Sequence, residues 1–156
     1  MNKTAISLAL AGMTVIPGLA QAREITLSTT LKDYRGNDAY LAIYVTDAQG
    51  AYQRTLWVAG RKAKYYKHLR DWVAGGGGKP AEFDGLSGAS VGSGETLNVA
   101  VELADTLIDA GYQIRIDSAV EDQRDNRGEI QVPLTQQATT VNGSGQGYVE
   151  RFSYQF

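Results

Sequence analysis

The chain of 156 residues carries 15 Lys and Arg against 17 Asp and Glu, a net charge of −2, and 43% of it is hydrophobic. That balance lacks the strong basic excess of a general nucleic-acid binder, and the length suits one domain with its own core. Cysteine is absent, which excludes both a disulfide framework and lipidation at a leader cysteine.

The first 22 residues read as a secretory signal peptide. Lys3 supplies a positive start, Thr4 to Ala20 an apolar stretch broken by Pro17 and Gly18, and Ala20-Gln21-Ala22 a small-residue cleavage site. The expected mature chain is residues 23–156, a single periplasmic domain. Lys3 is the only charge in the leader, so its removal takes the net charge to −3. The leader's apolar run falls short of the roughly 20 residues that cross a bilayer, and the mature chain offers no longer one.

Alternation then dominates. Ile25, Leu27 and Leu31 predict a first strand, Leu41, Ile43 and Val45 a second, and Tyr52 to Val58 a third. Leu97, Val99, Val101 and Leu103 share one face of a fourth, with Asn98, Ala100 and Glu102 on the other, the period of two of a half-buried strand. Tyr112, Ile114 and Ile116 repeat the pattern, as do Ile130, Val132 and Leu134, and the run Tyr148 to Phe156 closes the series. Turn residues separate these segments at Arg35–Asp38, Asp47–Gly50, Asp109–Gly111, Asp125–Gly128 and Asn142–Gly145. About seven short strands so spaced predict an all-β, immunoglobulin-like antiparallel β-sandwich, with a small barrel as the competing architecture.

One segment departs from the period of two. Over residues 61–73, Tyr65, Leu69, Trp72 and Val73 have helical spacing, while Lys62, Lys64, Lys67 and Arg70 take the remaining surface. This predicts one short inserted amphipathic helix on the sandwich edge, ended by a flexible linker, Gly75 to Gly78. Its basic face suits either solvent or an anionic partner. Among the aromatics, Trp57, Tyr65, Tyr66 and Trp72 are able to stack on a flat ring or a sugar; Trp72 is expected in the core and Tyr66 is the candidate for exposure.

Asp84-Gly85-Leu86-Ser87-Gly88-Ala89-Ser90 follows. Its turn-forming dipeptides suit an ordinary connection. The heptad also resembles the Asp-x-x-(Ser/Thr)-Gly-Ala-(Ser/Thr) acceptor of extracytoplasmic flavoproteins, in which an FAD:protein FMN transferase links FMN through its phosphate to the last hydroxyl. The resemblance assigns that hydroxyl to Ser90, with Ser where Thr is usual. Asp84, Ser87, Gly88 and Ala89 form the rest of the flavin-binding segment: Gly88 and Ala89 leave room around the hydroxyl, Gly85 and Gly88 favour an open loop, and Asp84 serves the transferase's metal or the loop itself.

Other clusters carry less. His68 is the only histidine and, without cysteine, lacks the partners of a triad or of a His-rich metal site, so a surface position is expected. Glu121, Asp122 and Asp125 before Gly128 miss the alternating pattern of a calcium loop, and a polar hairpin is expected there.

Several stretches together resemble a family of predicted periplasmic proteins, domain of unknown function 2271. They are Thr55-Leu56-Trp57-Val58, the basic-aromatic segment ending in Asp71-Trp72, the heptad, and Leu107-Ile108-Asp109-Ala110-Gly111-Tyr112. The family's association with flavin transferases and with membrane proteins bearing peptidase-propeptide-like domains implies extracytoplasmic electron transfer. The expectation is therefore a redox carrier modified by an enzyme without being one. The alternatives are a flavin-free adaptor that docks through the basic helix and a carbohydrate-binding sandwich.

Overall fold

A computed structural model describes residues 21–156. The expected signal peptide, apart from Gln21 and Ala22, lies outside the described residues. The strands are β1 (Ala22–Leu31), β2 (Tyr40–Thr46), β3 (Tyr52–Ala59), β4 (Ser87–Gly88), β5 (Thr96–Ala104), β6 (Gln113–Ala119), β7 (Asn126–Pro133), β8 (Thr139–Asn142) and β9 (Val149–Gln155). All seven expected strands are present. The additional β4 and β8 are two and four residues long, too short to leave a readable period.

The strands form two sheets, β5-β1-β9-β8 and β4-β3-β2-β6-β7, which is the expected all-β sandwich. An immunoglobulin sandwich places strands A, B, E and D in one sheet and C, F and G in the other. Here β1 and β5 stand as B and E, while β2, β6 and β7 stand as C, F and G, with β3 extending that sheet. The last strand, β9, takes the place of A beside β1. At the start of β1, Arg23 pairs with Asp105 at 2.8 Å and its guanidinium lies 5.5 Å from the centre of the Phe156 ring, so residues 23 and 156 are neighbours.

The alternation explains the core. Ile25, Leu27 and Leu31 of β1 pack with Leu41, Ile43 and Val45 of β2, Ile114 and Ile116 of β6, and Phe152 of β9, all fully or almost fully buried. Burial of such side chains contributes roughly 1.5–3 kcal/mol each. The opposite face of β2 is buried as well, because Ala42 and Tyr44 lie under the inserted segment with Val58, Tyr66, Leu69 and Trp72.

That segment is not the single helix the spacing predicts, and it covers the outer face of the five-stranded sheet rather than an edge. It comprises a 3₁₀ turn at Ala63–His68, a break at Leu69, α1 (Arg70–Gly75) and α2 (Pro80–Phe83). The buried residues Tyr66, Leu69 and Trp72 recur every three positions, the period of a 3₁₀ turn rather than of an α-helix. Tyr66 is therefore buried, contrary to expectation, and Tyr65 turns outward. Trp72 is buried as expected, its indole N–H donating to Thr55 at 2.9 Å. The glycine run is fitted rather than flexible: a β-carbon on Gly77 would coincide with the Trp72 indole, and Gly76, at φ 110°, ends α1.

A buried carboxylate joins these parts. Asp117 of β6 is 0% exposed. Its Oδ2 accepts the Trp72 N–H at 2.8 Å, and its Oδ1 accepts the Tyr44 hydroxyl at 2.9 Å and the Gly128 N–H at 2.7 Å. Burial pushes the Asp117 carboxyl above its ordinary range and the Tyr44 phenol well above its own. The Asp125–Gly128 turn of the sequence is thus drawn into β7, where the register with β6 shifts between Ile116 and Ser118.

Asp117→Ala leaves three donors without their acceptor, and we expect a loss of about 3 kcal/mol or more in urea denaturation. Glu129 of β7, a half-buried carboxyl, tests the sign. Burial raises its pKa above 4.5, so its contribution to stability is complete below that value and is lost as pH climbs through the folded-state value. The stability of Glu129→Gln relative to wild type should therefore rise as pH climbs above 4.5, read as the difference in urea midpoints.

Candidate functional site

The connections at one end of the sandwich enclose a cleft of about 800 Å³. The β1–β2 connection supplies Gly36, Asn37 and Asp38, and Tyr40 opens β2. The segment after β3 supplies Arg61, Lys62 and Tyr65, and the β6–β7 connection supplies Val120 to Gln123. Ala119, His68 and Ser90 complete the lining. The rim is cross-tied, since Asn37 donates to Glu121 at 2.9 Å and Gln123 donates to the Arg35 carbonyl.

Two tyrosines form the apolar part of the wall. The rings of Tyr40 and Tyr65 stack at 5.7 Å with an interplanar angle of 30°, and the Lys64 ammonium sits 5.0 Å from the centre of the Tyr65 ring. Tyr40 lies flat over Gly60, where a β-carbon would coincide with its ring and where φ is 133°, a conformation open mainly to glycine. Arg61 and Lys62, both exposed, bring positive charge to the same wall.

The heptad is only partly a loop. Ser87 and Gly88 form β4, parallel to β3, with the Val58 N–H donating to the Leu86 carbonyl and the Gly60 N–H to the Gly88 carbonyl, each at 2.8 Å. Gly88 packs on the Trp57 ring, where a β-carbon would fall 2.8 Å from Cζ2, so this glycine has a structural reason apart from any modification. The open-loop expectation thus fails for Ser87 and Gly88, because the edge of β3 offers hydrogen-bond partners and the backbone takes them. Asp84 and Ala89 are exposed, and Gly85 has φ 73°.

Of the five flavin-segment residues, Ser90 alone lines the cleft. Its position is fixed from both sides. The Ala39 and Val91 backbones exchange N–H···O bonds of 2.7 and 3.0 Å, which sets Asp38 beside Ser90, and the Ser90 hydroxyl donates to Asp38 Oδ2 at 3.3 Å. Ser90 thus presents an alcohol with a carboxylate acceptor in a wall that combines Tyr40 and Tyr65, the cations Arg61 and Lys62, and the acids Asp38, Glu121 and Asp122. Nothing local in positions 38 and 90 marks Asp38 and Ser90 as neighbours in the sequence, and Tyr40 and Arg61 likewise join the cleft only through the fold.

A family model described as predicted periplasmic protein, domain of unknown function 2271, matches residues 22–151. The chain belongs to this family. No curated protein and no solved structure matches it. The matched span runs from β1 into β9 and so takes in the sandwich, the inserted segment and the heptad.

The remaining expectations resolve locally. His68 is at the surface, its side chain 42% exposed, with Nδ1 3.2 Å from Asp125. Glu121 and Asp125 engage different partners, Asn37 and the Arg70–His68 pair, and among the described residues no group of three or more His, Cys, Asp or Glu is placed to hold a metal. None of the described helices is long and apolar enough to cross a membrane. Gly60→Ala is expected to displace the Tyr40 ring and cost about 1–3 kcal/mol. Near-ultraviolet circular dichroism should lose the Tyr40–Tyr65 contribution, with far-ultraviolet signal retained.

Proposed function

We propose that this is a periplasmic electron-transfer protein that carries FMN joined through a phosphoester to Ser90. It is exported under a signal peptide cleaved after Ala22 and serves a membrane flavin-based redox system of the peptidase-propeptide-like class. The observation that carries the reading is the placement of the Ser90 hydroxyl: it opens into a cleft whose wall combines stacked tyrosines with Arg61 and Lys62. The volume lies within the roughly 300–1,000 Å³ range of cofactor sites. The family's description as periplasmic supports the compartment.

In this reading the protein is the substrate of an FAD:protein FMN transferase and not itself an enzyme. Attachment forms one bond, from Ser90 Oγ to the FMN-side phosphorus of FAD, and breaks one, between that phosphorus and the oxygen bridging to AMP. AMP departs, and the hydroxyl proton leaves towards the Asp38 carboxylate or solvent. Arg61 and Lys62 attract the negative phosphodiester and oppose the repulsion from Asp38, Glu121 and Asp122, which line the same cleft. Tyr40 and Tyr65 present an aromatic wall to the isoalloxazine ring. FMN, when bound, supplies reversible electron uptake, and the protein supplies position and electrostatics.

Intact-mass spectrometry after denaturation, on protein co-expressed with the transferase in the periplasm, tests this directly. The expected gain is one FMN less one water, mapped to Ser90, absent in Ser90→Ala and retained in Ser87→Ala. An unmodified wild-type chain beside a modified control acceptor would overturn the reading and leave a flavin-free adaptor, for which Lys64 and Lys67 provide the exposed docking charge.

A further inference from the structure

A second hollow, of about 730 Å³, adjoins the cleft and shares His68 and Gln123 with it. Its character is different. Three arginines reach it from two separate parts of the chain: Arg70 from α1, and Arg124 and Arg127 from the β6–β7 connection and the start of β7. We propose that this hollow is an oxyanion site, taking a small carboxylate or phosphate, and that it is independent of any modification at Ser90.

The distribution of partners supports the assignment. Asp125, whose side chain is 13% exposed, is engaged through a single oxygen: Oδ2 lies 2.8 Å from Arg70 Nε and 3.2 Å from His68 Nδ1. Those contacts orient Arg70 and His68 along the wall. The other guanidiniums are left largely uncompensated. Arg127 has only Asp71, at 3.6 Å, and Arg124 has no carboxylate within 4.0 Å among the described residues. The Arg124 backbone is nevertheless anchored, its carbonyl accepting the Tyr148 hydroxyl at 2.8 Å. Guanidinium forks match the geometry of carboxylate and phosphate oxygens.

The floor does not cancel that charge in full. Glu129 lines the hollow but its carboxylate faces inward, accepting the Val149 N–H at 3.3 and 3.4 Å, and burial raises its pKa. Ser144 and Gln146 complete the wall with neutral polar groups. An anion seated there would find Arg124 and Arg127 at the mouth, neutral donors beside them, and the Asp125 carboxylate already engaged by Arg70 and His68. The arginines are exposed, so their replacement leaves both cores untouched.

Isothermal titration of the whole described domain with inorganic phosphate, and separately with succinate, reads the site, with sodium chloride at matched ionic strength as the control. Saturable binding of one or both anions is expected, weakened about tenfold or more in Arg124→Gln/Arg127→Gln; the arm that binds more tightly identifies the oxyanion. Ser90→Ala should bind as wild type does, so failure of the flavin reading and failure of this one are distinguishable. Heat that chloride reproduces, or binding unchanged in the double variant with an unaltered melting temperature, would overturn the assignment.

Discussion

The Asp117 carboxylate is the constraint on which the insertion depends. The first N–H groups of a helix have no partner within the helix, and α1 has no side-chain cap of its own. Asp117 fills that role from the neighbouring sheet, accepting the Trp72 N–H while holding Tyr44 and Gly128. A charged group taken out of water is costly unless its hydrogen-bonding capacity is met; three donors meet it here. One interaction therefore fixes where the insertion sits on the sheet and, with it, how the second core closes.

The cleft inherits its shape from that arrangement. Tyr65, Arg61 and Lys62 belong to the chain between β3 and α1, so their direction follows from the burial of Tyr66 and Leu69 on the sheet below. The other walls are connections between strands. In immunoglobulin variable domains the B–C and F–G loops at one end form the binding surface, and the equivalent connections, β1–β2 and β6–β7, line this cleft. The two sheets act as a rigid support, and loops on such a support are where specificity concentrates.

The sandwich was legible because its determinants are local. Each strand announces itself by alternation, as Ile25, Leu27 and Leu31 do, and the turns by Gly, Asn and Asp. The insertion was misread in detail because a stripe containing Tyr65 and Trp72 satisfies an α-helical period, whereas the chain packs Tyr66, Leu69 and Trp72 at a period of three. Of the cleft's lining the sequence singled out Ser90, Tyr65 as a stacking aromatic and Lys62 as part of a basic face. Asp38 reaches Ser90 across 52 positions, and Arg70, Arg124 and Arg127 converge from separate elements; no spacing rule in one sequence encodes such juxtapositions. Gly88 carries a different lesson, since packing on Trp57 explains the glycine that a modification motif would also require.

The contact between Arg23 and Phe156 has a consequence for how the domain sits among its neighbours. The β1 strand runs from that contact to the cleft end, a span of about 30 Å for ten residues, and β9 returns antiparallel beside it. Both ends of the described sandwich therefore emerge together at the pole opposite the cleft. Anything joined there, whether a leader, a tether or a fused partner, projects away from the binding end. Closely spaced ends also make the fold suited to circular permutation and to insertion into another protein, with the cleft facing outward in either arrangement.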